Sequence, residues 1–292
     1  MPFQIIINIA VHASIYYIIG YSFSLIFNTS KFFNLFHAGI LVLSPYFLYF
    51  FSRILFIDFV LSILISIAII VLIAFISNNY VFAKLKSNSS NNLVLLISSL
   101  GLYIIIESLI SIFFGSEKKI LFDPNPNNIF EISNGFITLI NIITILFSII
   151  LFVSSSLLMS NSQIGFKVKS VTNNEELSKI FGINVKRIKN ICFAIGSGLV
   201  GIAGILISSD IGITPTMGFN FLIYGIVAMI IGGINSTIGL VGGALLLACA
   251  QHFGAFYFDS KWLDTIAYII LILFLIWKPL GFSGKQLKKV EI

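Results

Sequence analysis

Very few residues in this chain have the type and setting to do chemistry. Glu107 is the most informative of them, because it lies in the middle of the apolar run LVLLISSLGLYIIIESLISIFFG. Placing an ionised carboxylate at the centre of a membrane helix costs about 2.5–3.5 kcal/mol on insertion scales. Such a group faces a polar cavity on a transport path or holds a structural hydrogen bond. His37 and Pro45 mark residues 34–46 as a second candidate lining, with a satisfied structural histidine as the other reading. Cys192 and Cys249 stand far apart in apolar segments without metal-ligand spacing, and read as small core residues. The sequence has no G-x-x-x-x-G-K-[ST] loop, since GFSGK near its end lacks the spacing, and it has no H-E-x-x-H and no G-x-S-x-G. We therefore expect no catalytic residues, no metal and no cofactor: a non-enzyme. Uphill movement of a solute would need an ion gradient or a separate energised subunit.

The elements that must position these residues are membrane helices. Of 292 residues, 58% are hydrophobic and 10% charged, and the mean hydropathy is +1.06. A soluble domain would carry roughly a quarter charged residues. Apolar runs cover residues 5–27, 32–51, 54–76, 93–114, 136–159, 190–208, 219–253 and about 264–277. Each crossing needs about 20 apolar residues. The opening MPFQIIINIAVHASIYYIIG lacks a basic leader and a small-residue cleavage site, so it is expected to be a retained first helix. Small residues recur at helical spacing in the later spans: Ala194, Ser197, Gly198, Gly201, Gly204 and Ser208, then Gly225, Gly232, Gly233, Gly239, Gly242 and Gly243. They allow close approach of helices, for static packing or for sliding during transport.

Charge orients the chain. Loop 77–92 carries Lys84 and Lys86 without an acid, loop 160–189 is strongly basic, and the tail adds Lys278, Lys285, Lys288 and Lys289. Loop 115–135 has two lysines against three acids, and loop 209–218 has only Asp210. The first three segments are expected inside and the last two outside. Residues 219–253 must then cross an even number of times. Two short helices, about 219–231 and 238–252, would meet that condition as a re-entrant pair turning at Gly232-Gly233-Ile234-Asn235-Ser236. Segment 32–51 either spans, which puts the N-terminus outside, or re-enters, which puts it inside. The fold class is all-α: a single domain over residues 1–292, a polytopic helical bundle of eight or nine crossings with a broken pair in its C-terminal third.

Within loop 160–189, Thr172–Gly182 reads as a short amphipathic helix. Asn173 or Asn174 caps it, and Glu175 and Glu176 lie in its first turn, where carboxylates favour the positive helix end. Leu177, Ile180 and Phe181 fall on one apolar face, and Gly182 supplies the stop. Lys186, Arg187 and Lys189 then lead into the next span. Such a helix either docks in a groove of a soluble partner or merely connects two spans.

Four segments, in order, carry a likeness to a known family: FNLFHAGILVLSPY, ISSLGLYIIIESLISIFFG, EELSKIFGINVKRIKNICFAIGSGLVGIAGILIS and PTMGFNFLIYGIVAMIIGGINSTIGLVGGALLLACAQ. Together they resemble the permeases of branched-chain amino acid ABC transporters, the LivH/LivM type, and the LivH half more closely. The resemblance implies a multi-pass protein of the bacterial inner membrane that imports branched-chain or related amino acids. It implies a second permease subunit (LivM-like or a copy of this chain), cytoplasmic ATP-binding subunits, and an extracytoplasmic substrate-binding protein. The lipid bilayer is the surrounding partner, and nucleic acid is not one. The matching coupling helix is about 173–182, with Glu175, Glu176, Leu177, Ile180, Phe181, Gly182, Lys186 and Arg187 as ATPase-coupling residues. Asn34, His37, Glu107, Gly232, Gly233 and Asn235 become the candidate substrate pathway. This sequence departs from the family pattern at His37-Ala38-Gly39-Ile40, which lacks the family's acidic residue, and at Asn235-Ser236. Related cargoes such as urea or short amides share these motifs. A stand-alone gradient-driven transporter or channel using Glu107 is the alternative from another class.

Overall fold

Inside a bilayer no water is at hand for backbone amides, so a chain this apolar closes its hydrogen bonds within each segment and forms helices. The computed structural model describes residues 2–87, 91–121, 129–132, 135–278 and 281–282. Its helices are α1 (Pro2–Ser30), α2 (Phe36–Tyr49), α3 (Phe59–Ile76), α4 (Ala83–Ser87), α5 (Asn92–Phe114), α6 (Leu139–Asn161), α7 (Gln163–Asn173), α8 (Glu175–Ile180), α9 (Val185–Ile211), α10 (Met217–Gly232), α11 (Thr237–Tyr257) and α12 (Leu263–Trp277). Residues Phe50–Ile54 extend α2, and Ser77–Phe82 join α3 to α4, in the wider π-helical winding. Polar side chains set the starts: Asp58 accepts from the amides of Val60 and Leu61, Thr138 from Asn141, Ser162 from Gly165 and Ser236 from Gly239. One feature lies outside the all-α expectation. Strands β1 (Ile129–Ile132) and β2 (Gly135–Thr138) form a small antiparallel hairpin ahead of α6.

Long-range hydrogen bonds identify which helix ends lie together. The side chain of Gln4, at the start of α1, bonds the backbone of Phe136 in β2 in both directions, at 3.2 and 2.7 Å. At the other end of α1, the Lys86 ammonium donates to the Ser30 carbonyl at 3.4 Å. So α1 runs from the poorly charged end of the bundle to the basic end. Arg53, at the close of the helix begun by α2, donates twice to the Leu121 carbonyl. Residues 36–54 therefore return to the outer end, and 19 helical residues rise about 28 Å. Segment 32–51 thus runs the length of the bundle, the arrangement that puts the N-terminus outside if the basic loops lie inside as charge leads one to expect.

The broken pair is corrected in one respect. α10 starts beside the loop whose Ile213 pairs with Lys119 at the outer end. Its far end turns where the Ile234 carbonyl accepts from Ser24 and Asn28, near the inner end of α1. The amide of Phe282, past the inner end of α12, donates to the Ile231 carbonyl. α10 and α11 thus cross from one end to the other and back, rather than re-entering part-way. Six helices are individually long and apolar enough to span. With α2, α10 and α12, nine crossings are present among the described residues.

α2 lies at the centre, and its residues Ala38, Ile40, Leu41, Val42, Tyr46 and Leu48 are almost wholly buried. Pro45 has no amide to give to the Leu41 carbonyl. That freed carbonyl points at Gly204 of α9, where a Cβ would collide with it. A proline that would weaken a lipid-facing helix is thus accommodated by a neighbour without a side chain. On α9, Ser197, Gly201, Gly204 and Ser208 are buried, while Ala194 and Gly198 are only partly covered. Gly243 of α11 likewise admits the Ala228 carbonyl of α10, but Gly242 faces open space.

Candidate functional site

At the basic end, the expected helix is present with Asn174 as its cap, and Asn173 closes a separate helix before it. Asn174 is extended (φ −152°, ψ 108°), ends α7 and caps α8 by accepting from the Leu177 amide at 2.9 Å. α7, which the sequence reading did not anticipate, packs Val168 and Val171 onto Val185, Ile188 and Cys192 of α9. α8 closes at Gly182 (φ +76°), with Ile183 donating to Ser178 and Gly182 to Lys179. This paired Schellman closure requires a left-handed residue, which glycine supplies. Ser178 is buried against the bundle, so the opposite face is presented outward: Leu177 is 49% exposed, Ile180 79% and Phe181 75%.

Glu175 fastens α8 to the bundle. Its carboxylate lies 2.7 Å from Lys189 of α9, 3.4 Å from Lys179 and 3.7 Å from Lys86 of α4. Burial opposes its ionisation, but the hydrogen bond and charge of Lys189, with Lys86 and Lys179, outweigh burial and hold it below the ordinary glutamate value. One residue along α9, Asn190 exchanges side-chain hydrogen bonds with Asn78 (2.8 Å) and Asn79 (3.3 Å) in the π-helical stretch after α3. Glu176, Lys186 and Arg187 are exposed. Asn184 caps α9, and with Lys186, Arg187, Asn190 and Phe75 it lines a shallow depression of about 410 Å³.

The pathway candidates do not gather into one site. Asn34 and His37 are buried at the inner start of α2. Ser22 gives its hydroxyl proton to the Ile19 carbonyl, so at 3.0 Å His37 Nε2 donates to Ser22 Oγ. Asn34 Oδ1 is buried with no partner among the described residues. Gly232, Gly233 and Asn235 form the inner turn on the other side of α1, with Asn235 exposed. Glu107 is partly buried toward the outer half of α5 and interacts with Tyr103, one turn away. Tyr103 in turn stacks on Phe219 of α10 at 5.7 Å.

The profile of the family described as "Branched-chain amino acid transport system / permease component" matches residues 5–275. The chain belongs to this family. It is 31% identical over 206 residues to the branched-chain amino acid permease protein BraD of Pseudomonas aeruginosa, covering 68% of this chain and 67% of that one. It is 27% identical over 210 residues to LivH of Salmonella typhimurium, covering 69% and 68%. A shorter similarity, 34% over 102 residues, links it to the xylose permease XylH of Haemophilus influenzae, covering 32% and 27%. Among solved structures, PsaBC from Streptococcus pneumoniae in complex with Fab covers 92% of this chain and 90% of that chain, at 13% identity and a TM-score of 0.49.

This is therefore a multi-pass membrane permease component rather than an enzyme. In this permease, sequence reasoning missed the residues that tie α8 to α4 and the start of α9 to the stretch after α3. In the sequence Lys86 reads only as a loop charge, and Asn78, Asn79 and Asn190 are not singled out. Their partners lie about 90 to 110 residues away in the chain, so no local spacing reveals them.

Proposed function

We propose that this permease imports branched-chain amino acids as one membrane half of an ABC transporter, with ATP hydrolysed by a separate cytoplasmic subunit. The carrying observation is α8: a short helix, capped at both ends and tied down by Glu175, that presents Leu177, Ile180 and Phe181 to the basic side. Exposed apolar side chains on a fixed helix fit a hydrophobic groove on a soluble partner. Residues 173–182 are then the coupling helix, with Lys186 and Arg187 at its return to the membrane. ATP-driven movement of α8 would pass through Glu175–Lys189 into α9 and through Lys86 into α4. An extracytoplasmic binding protein would deliver cargo to the outer end, and a second permease subunit would complete the path in the bacterial inner membrane. The cargo assignment is supported by the names of BraD and LivH.

The test is co-purification of the neighbouring ATP-binding subunit with Leu177→Asp and Phe181→Asp variants. These should elute as folded protein while losing most of the bound ATPase, and undiminished co-purification would remove the docking role. Leucine uptake should require the ATPase and the binding protein. Uptake by the purified chain alone, driven by a proton or sodium gradient, would overturn the importer reading.

A further inference from the structure

Where the basic end of the bundle meets the apolar spans, a depression of about 410 Å³ lies between the start of α9 and the end of α3. Its wall on α9 is one helix face, since Asn184, Arg187, Ile191 and Ala194 recur at three- and four-residue spacing. From the cap at Asn184 to Ala194 that face rises about 15 Å. Phe75, in the last turn of α3 and 41% exposed, supplies the other wall.

The lining changes character along that length. Lys186 and Arg187 stand exposed at the loop end, and neither pairs with a carboxylate among the described residues. Asn184 spends its Oδ1 on the Arg187 amide at 3.0 Å, which leaves its Nδ2 free to donate. Asn190 follows, then Ile191, Ala194 and Phe75, and no acid is among the described lining residues. The order is cation, amide, hydrocarbon. An anionic phospholipid presents its matching parts in the same order: phosphate, glycerol esters, acyl chain. A soluble anion has no use for the apolar tier, and a soluble protein does not reach down into a span. Lysines and arginines at the membrane surface attract anionic lipids, and basic pockets between helices on the cytoplasmic side hold their headgroups. Leu177, Ile180 and Phe181 lie outside this lining, so it is a surface separate from the exposed face of α8.

We propose that the depression between α3 and α9 binds an anionic phospholipid from the leaflet at the basic end. Lys186 and Arg187 hold its phosphate, Asn184 donates to a glycerol or ester oxygen, and an acyl chain lies along Ile191 and Ala194 against Phe75. The site stands whichever solute the permease carries. A lipid seated there lies against the start of α9, the helix to which Glu175 fastens α8.

The test titrates the complete transporter, delipidated in detergent, and counts retained lipid by native mass spectrometry. The probes are phosphatidylglycerol and phosphatidylcholine with the same palmitoyl and oleoyl chains, and glycerol 3-phosphate as the anionic group without chains. The wild type should retain phosphatidylglycerol about tenfold more tightly than phosphatidylcholine, and millimolar glycerol 3-phosphate should not displace it. The paired change Lys186→Gln with Arg187→Gln should abolish that preference and leave phosphatidylcholine binding as it was. Lys167→Gln with Lys169→Gln removes the same charge from exposed positions on α7 outside the depression, and should leave the preference intact. All four side chains are exposed, so both variants keep the packing of the bundle. Equal retention of the two lipids by the wild type, or a preference that survives the loss of Lys186 and Arg187, would overturn the site. So would displacement by glycerol 3-phosphate, which marks a soluble-anion site, or an equal loss in the α7 variant, which marks diffuse surface charge. None of these results bears on whether the transporter imports leucine.

Discussion

The helix interface between α2 and α9 and the attachment of α8 are built on opposite principles. Between α2 and α9 the packing is close: the Leu41 carbonyl freed by Pro45 abuts Gly204, and Gly201 lies against the Ser44 hydroxyl, with Ile70 of α3 beside it. Nothing there can swell, and little can slide without a clash. α8 rests on one partly buried carboxylate shared by three ammonium groups, and it turns its apolar side chains away from the protein. The first region can transmit movement only as a rigid unit. The second can be pulled or pressed by whatever binds its face. The difference marks where force would enter and what would carry it.

That contrast can be broken most drastically at Gly204. A Gly204→Leu substitution places its side chain on the Leu41 carbonyl, where overpacking alone costs about 1–3 kcal/mol and backbone leaves no soft neighbour to move. We expect loss of monodisperse protein on size exclusion, while Gly242→Leu, facing open space, should purify normally. A smaller effect is expected at Glu175→Gln. Each exposed or half-exposed ion pair contributes about 0.2–1 kcal/mol, so freeing three should raise hydrogen exchange across residues 163–183 by between about threefold and about a hundredfold, with the spans unchanged. A comparable loosening should follow acidification. The carboxylate is held below its ordinary value of 4.5, so its stabilising effect is complete at neutral pH and fades only as the pH falls below that range. Exchange measured at pH 6 and pH 4 should differ less in Glu175→Gln than in the wild type, after correction for intrinsic rates. The smallest effect is expected from Glu107→Gln. Because Glu107 sits apart from the other candidates, beside Tyr103, ATP-driven leucine uptake should stay within about twofold of wild type. Complete loss with gradient dependence would move the transport path to α5.

Some of this was legible in the residues. Leu177, Ile180 and Phe181 announce an apolar face because helical spacing is a local property, and Gly182 announces its stop for the same reason. Which asparagine caps it was not legible, since Asn173 and Asn174 are equally good caps in sequence; in the fold Asn173 ends α7 and Asn174 caps α8. His37 and Glu107 drew attention as lone polar groups in apolar runs, yet His12 and His252 stand in apolar runs too, 240 residues apart, and only the fold brings their rings together.

By itself, then, the sequence determined the solvent in which this protein folds and its family, and charge set the side expected for its basic loops. Hydropathy and charge act residue by residue and sum along the chain, so they survive without coordinates. Only the tertiary structure decided that segment 32–51 crosses and that α10 and α11 cross fully. It also decided that Glu175 joins α8 to α4 and α9, and that the rings of His12 and His252 meet. Each of these depends on which distant segments touch. Contact between helices is set by the shape of whole faces, such as the bare backbone at Gly204, rather than by any residue's own preference.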